Sequence, residues 1–202
     1  MSTTEAATDQ KLDSKTAAEC DALLHLVAQG DEDALMALYY ATRRMVFSVS
    51  YSLLRDVQLS EDVVQDTMLR IWSNAASYRG GEQAKSWICS IARHLSLDIL
   101  RKRGREISLE TFEDGPVPDA LTTDPYADDR LDLLSGLSRL GREEALAFSL
   151  RNIAGLNHLE IARLMEIPYH TVRYRYRTAI SKLKTCLSSP DAGIDSSRRD
   201  DS

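Results

Sequence analysis

The chain has 202 residues and a mass of 22.6 kDa, room for one ordinary domain or two small ones. Its 43% hydrophobic and 28% charged residues are globular composition, and no apolar run approaches the roughly 18 residues of a membrane span. The polar start MSTTEAATDQKLDSK lacks the apolar stretch of a secretion signal. Cys20, Cys89 and Cys186, odd in number and far apart, fit neither a disulfide framework nor a zinc pattern, which points to a reducing cytoplasm.

The formal charge of −6 is unevenly distributed. Residues 34–105 and 133–187 each carry +5, whereas 1–33 carry −6, 106–132 carry −8 and 188–202 carry −2. Two basic blocks are therefore separated by a strongly acidic connector.

Apolar residues recur at helical spacing in nearly every block, and no stretch alternates with period two. A disordered extension is expected over 1–18. Leu23, Leu26 and Val27 then form a short stripe that Gly30 can end. Asp31 can cap a longer helix with the stripe Leu35, Leu38, Tyr39, Met45, Val46, Val49 and Leu53. Ser60 is the cap expected for the next helix, whose buried side is read as Val64, Met68, Ile71 and Trp72. After the Arg79-Gly80-Gly81 break, a fourth helix carries Trp87, Ile88, Ile91, Leu95 and Ile99, and ends in a basic run from Arg101 to Arg105. Cys89, beside Ile88, reads as a small core residue. Residues 106–130 form an acidic, proline-bearing flexible linker. Helical spacing resumes from Leu131, and 188–202 are a polar, disordered tail. The fold class is all-α: two small helical domains, 19–105 and 131–187, on a flexible acidic tether.

Within the second domain, Asn157 can cap a helix with Ile161, Ala162 and Met165 inward, and a tight turn Glu166-Ile167-Pro168 follows. On the last helix Val172, Tyr176, Ala179 and Leu183 share one face. His170, Arg173, Tyr174 and Arg177 fall on the other, and residues 169–184 hold five cations and no acid. This is a helix-turn-helix whose recognition helix offers guanidinium groups to guanine edges or phosphates.

The first block carries a more specific likeness. Ser60-Glu61-Asp62-Val63-Val64-Gln65-Asp66-Thr67-Met68-Leu69-Arg70-Ile71-Trp72 resembles the core-binding segment of bacterial sigma-70-type factors. Tyr78 through Ile88 and then Ile91 through Arg103 resemble the promoter-melting segment of that family, and the helix-turn-helix resembles its C-terminal domain. With no third domain between them, the two blocks resemble an extracytoplasmic-function (ECF, group 4) sigma factor: a sigma region 2 bundle and a sigma region 4 helix-turn-helix.

The resemblance implies that the third helix docks on core RNA polymerase through Asp62, Asp66, Arg70 and Trp72. It implies that Arg79, Lys85, Trp87, Arg93, His94, Arg101 and Arg103 meet the minus-ten element, where a displaced strand needs cations and planar stacking surfaces. Minus-thirty-five contacts fall to His170, Thr171, Arg173, Tyr174 and Arg177. It implies promoter DNA and an anti-sigma factor as further partners, and a cytoplasmic protein that could be held at a membrane by that anti-sigma factor without spanning it. Four positions depart from the family pattern: His94 stands where many relatives have Asn, His170 and Tyr174 where small residues are common, and Gly141 where Pro is common.

Enzyme readings lack a constellation. His25, His94, His158 and His170 lie in different helices without ligand partners at metal spacing and read as surface or DNA-side residues. No phosphate-cradling glycine motif or nucleophile elbow occurs. No metal, cofactor or small-molecule substrate is expected. Two rival functions remain: a sigma-like mimic that sequesters an anti-sigma factor, and a stand-alone helix-turn-helix repressor. The retained basic faces oppose the first, and the absence of a heptad dimerisation helix opposes the second.

Overall fold

The computed structural model describes residues 18–81, 83–106 and 127–188. Among them the secondary structure is helical, without strands: α1 (18–27), α2 (Glu32–Leu54), α3 (Val57–Asn74), a 3-10 turn (Ala75–Ser77), α4 (Ala84–Glu106), α5 (Ala127–Ser138), α6 (Arg142–Asn152), α7 (His158–Met165) and α8 (Tyr169–Ser188). The expectations for 1–17 and 189–202 lie outside the described residues, as does most of the acidic linker. Both ends of that linker are helical, since α4 closes at Glu106 and α5 opens at Ala127.

Local chemistry explains the starts and stops. Gly30, at φ +87°, ends the turn after α1, and Asp31 caps α2 by accepting from the Ala34 N–H at 2.9 Å. Only Arg55 and Asp56 separate α2 from α3. Arg55 closes α2 in the left-handed region, at φ 58°. Asp56 then caps α3, its Oδ1 accepting from the Leu59 N–H at 3.0 Å. Ser60 is therefore not the cap. It lies buried inside the first turn and donates to the Asp56 carbonyl at 2.6 Å, the back-bonding expected of a helix-interior serine.

α2 is the central element and packs against α3 and α4, with Leu38, Val46, Val49, Val63, Val64, Ile71 and Ile88 fully buried between them. Each such side chain contributes about 1.5–3 kcal/mol by leaving water. α1 covers this bundle with Cys20, Leu24 and Val27, spaced i, i+4, i+7; of the expected stripe Val27 is buried and Leu23 partly so, whereas Leu26 is 42% exposed. α6, α7 and α8 enclose a second core of Leu146, Leu150, Leu156, Ile161, Val172 and Ala179.

The two cores are joined. Residues 45–54 of α2 are buried without interruption, because α3 and α4 cover one side and α6 the other. The Ser52 and Ser149 hydroxyls lie 3.1 Å apart, and Ser149 donates to the Ser48 carbonyl at 3.4 Å. The Arg55 guanidinium donates to the Leu137 carbonyl and, at 2.8 Å, to that of Leu140, at the C-terminal end of α5. There a cation also meets the negative end of the helix dipole. The two expected helical units are present, but they are docked on one another rather than held apart by the tether.

Candidate nucleic-acid interface and partner face

The helix-turn-helix is fixed at its corners. The Asn157 side chain accepts from the N–H groups of Leu159 and Glu160 at 2.9 and 3.0 Å, and Glu160 accepts from the Asn157 N–H at 2.7 Å, a reciprocal capping box. Glu166, at φ 57°, ends α7, and the Pro168 carbonyl accepts from Thr171 and Val172 to start α8. Ile161 and Met165 are buried and Ala162 is half-buried.

α8 divides its cations between two tasks. Arg175 pairs with Glu143, and Lys182 donates to Glu144 at 2.7 Å, clamping α8 to the first turn of α6. That bond, together with the Gly141 N–H, holds the Glu144 carboxyl below the usual carboxylate range against the opposing effect of burial. Gly141 itself is the N-cap of α6, where its N–H donates to Glu144 at 3.0 Å. His170, Arg173, Tyr174 and Arg177 are all exposed on the outer face, Tyr174 at 72%, and Thr171 is half-buried. Arg173 sits over the Tyr169 ring at 5.9 Å.

His158 differs from its expectation as a surface or DNA-side residue. Its ring lies edge-on to Tyr176 and Tyr169, at 5.4 and 6.1 Å between centroids, and its buried Nε2 has no hydrogen-bond partner. Burial, then Arg151 and Arg173, push its pKa down, so it is a neutral wedge under the recognition helix. Its one-turn spacing from the buried Ile161 was the signal for this placement.

The outer face of α3 presents Asp62, Asp66 and Arg70, all exposed. Trp72, expected on the buried side, is 40% exposed, because it follows the fully buried Ile71 by 100° of helix rotation and so leaves the core. Leu69, 65% exposed in the middle of this face, went unnoticed; its apolar side chain among polar neighbours was the available signal.

The third cluster lies on the loop before α4 and along that helix. Arg79, His94 and Arg101 are exposed; Lys85, Trp87, Arg93 and Arg103 are half-buried. Arg101 pairs with Asp98 at 2.8 Å, and Arg103 with Asp56 at 3.5 Å, tying the end of α4 to the start of α3. Trp87 stacks obliquely on Tyr78, with 5.3 Å between centroids. Gly80 and Gly81 carry the loop at φ +75° and +92°. Cys89 is core, as expected, and burial pushes its thiol up to about 12, far from thiolate reactivity at neutral pH. No group of acidic, histidine or cysteine side chains able to hold a metal occurs among the described residues, and no described helix is long and apolar enough to cross a membrane.

This arrangement has matches among known proteins. The sigma-70 region 2 family model matches residues 38–106, and that of sigma-70 region 4 matches 130–183. An "ECF RNA polymerase sigma factor SigK" of Mycolicibacterium vanbaalenii is 32% identical over 84% of this chain and 90% of its own length. The chain belongs to the sigma-70 family, as an ECF sigma factor. A SigK of Mycobacterium sp. (strain JLS) is 31% identical over 84% of the sigma factor and 91% of the relative. Among solved structures, the sigma factor RpoE of Bartonella quintana, crystallised with the anti-sigma factor NepR, aligns with a TM-score of 0.62 at 23% identity. That alignment covers 79% of this sigma factor and 98% of RpoE. CnrH, in complex with the cytosolic domain of CnrY, aligns with a TM-score of 0.57 at 18% identity, over 86% and 99% of the two chains. The fold of this ECF sigma factor is thus shared with both.

Proposed function

We propose that this sigma factor is a cytoplasmic promoter-specificity subunit, without a catalytic site of its own, that joins core RNA polymerase and directs it to promoters with two spaced elements. The observation that carries this reading is the separation of three exposed faces in one ECF sigma factor: a charged face with apolar centre on α3, a basic loop and helix at α4, and a basic recognition face on α8. The α3 face takes polymerase through Asp62, Asp66, Leu69, Arg70 and Trp72, the mixture of charged and aromatic anchors that suits a transient interface. Arg79, Lys85, Arg93, His94 and Arg101 bind the displaced minus-ten strand. Trp87 shapes that surface from beneath, and Arg103, held by Asp56, lies at its edge. His170, Thr171, Arg173, Tyr174 and Arg177 read the minus-thirty-five element. Control by an anti-sigma factor is supported by the folds of RpoE and CnrH, both solved in complexes, RpoE with an anti-sigma factor.

The deciding experiment is in vitro transcription with purified core polymerase, with and without the protein, on a library of promoter fragments. New transcripts sharing two spaced motifs are expected, and charge reversal at Arg173 and Arg177 reduces them. No added transcript with a folded protein overturns the reading in favour of a mimic; a fragment bound tightly without polymerase overturns it in favour of a repressor.

A further inference from the structure

α1 lies before the segment matched to region 2, yet it reaches the loop that opens the melting surface. The Asp21 Oδ1 accepts two hydrogen bonds from that loop and helix: one from the Tyr78 hydroxyl and one, at 3.1 Å, from the Ala84 N–H. Ala84 is the first residue of α4, so its N–H has no carbonyl within the helix. A carboxylate 63 positions upstream supplies the acceptor instead, and the positive end of the helix dipole favours it there. One turn further along α1, the exposed His25 ring lies against Gly80; a Cβ on that glycine would sit 3.5 Å from His25 Cε1 and 3.6 Å from Nε2. His25, Tyr78 and Trp87 thus form a row of rings across the loop, 6.2 and 5.3 Å between successive centroids.

We infer that Asp21 is a positioning residue for promoter melting, and that α1 is a brace that sets the shape of the Tyr78–Gly81 loop and the angle at which α4 leaves it. The inference rests on the assignment of that loop and helix to the displaced strand. Two consecutive glycines with positive φ give the loop many conformations. Anchoring the Tyr78 hydroxyl and the start of α4 to one carboxylate oxygen restricts them at both ends. Arg79 and Lys85, which flank the anchor, are then presented in a fixed relation before DNA arrives, which lowers the ordering cost of binding a flexible strand. The brace also decides the charge of the site. Because Asp21 occupies the N-terminus of α4, that terminus does not attract a phosphate, and backbone contacts fall to the flanking cations.

The test compares full-length wild type with Asp21→Ala, which removes the acceptor, and Tyr78→Phe, each assembled with core polymerase on a promoter the wild type transcribes. Tyr78→Phe keeps the row of rings and removes only the hydroxyl. Both variants are expected to isomerise to the open complex about tenfold more slowly, the equivalent of one hydrogen bond. Core binding and initial promoter binding stay within about twofold of wild type, and a template already mismatched over the minus-ten element restores the rate. Isomerisation at the wild-type rate in both variants overturns the inference. So does a loss of core binding in parallel with isomerisation, or a failure of the mismatched template to restore the rate, since Asp21 then serves only the stability of the bundle. Absence of transcription by the wild type would instead refute the functional reading beneath it.

Discussion

Removing the Arg55 guanidinium is expected to loosen the docking of α5 and α6 onto α2. That side chain makes two hydrogen bonds to carbonyls of the other helical unit, at Leu137 and Leu140. Hydrogen bonds involving a charged group contribute about 1.5–3 kcal/mol when well buried. Arg55 is only half-buried, and solvent screening brings the pair together to about 1–2 kcal/mol. That corresponds to a factor of roughly 5–30 in the ratio of docked to separated chains. Three substitutions dissect the effect. Arg55→Ala removes the fork and keeps an L-residue at φ 58°; Arg55→Gly removes the fork and relieves the left-handed backbone; Arg55→Lys keeps the charge without the planar pair of donors. Small-angle scattering across a urea series, with far-UV circular dichroism in parallel, reads the onset of expansion while the helices remain. The onset is expected at lower urea in Arg55→Ala and Arg55→Gly and between these and wild type in Arg55→Lys. Identical onsets in all four proteins would refute the assignment of docking to this guanidinium.

Three further outcomes are expected. Asn157→Ala removes the side-chain half of the α7 capping box, leaves the backbone N–H bond to Glu160, and lowers stability by about 1 kcal/mol, seen as an earlier denaturant midpoint with an unchanged slope. Leu24→Ala, at a fully buried position on α1, costs about 2–5 kcal/mol by the same measurement. The depressed pKa of His158 means that the unfolded chain takes up its proton first. The stability that depends on neutral His158 is thus complete above its ordinary value of 6.5 and declines as pH falls below that value towards the folded one. His158→Phe flattens this part of the pH profile in melts of the full chain, whereas the same acidic decline in that variant would sink the assignment.

What the sequence made legible was local. The Asp31 and Asn157 caps, the Glu166-Ile167-Pro168 turn and the outward set His170, Arg173, Tyr174 and Arg177 all depend on residues a few positions apart. The missed features depend on distant partners or on competition between near neighbours. Asp56 displaced Ser60 as the α3 cap because its carboxylate stands where Arg55 releases the chain from α2. Trp72 looked like core by composition, but helix rotation carries it past the buried edge at Ile71. Asp21 gave no signal, since its two donors are 57 and 63 residues away. Docking of the two units was equally hidden. It covers serines that a helical wheel assigns to water, and its guanidinium contact spans more than 80 residues.

Those serines shape how the seam between the units behaves. Ser48, Ser50 and Ser52 donate to the carbonyls of Met45, Val46 and Ser48 at 2.8, 2.9 and 2.7 Å, all within α2 itself. None of these hydrogens depends on α6 for a partner, so lifting α5 and α6 away breaks the bonds of Ser149 and Arg55 across the seam and wets apolar surface but leaves the α2 hydroxyls paired. Most helix faces are committed either to the interior or to solvent. This one keeps its hydroxyls paired in either setting, so what holds the seam shut is its apolar side chains and the bonds of Arg55 and Ser149 rather than its serines.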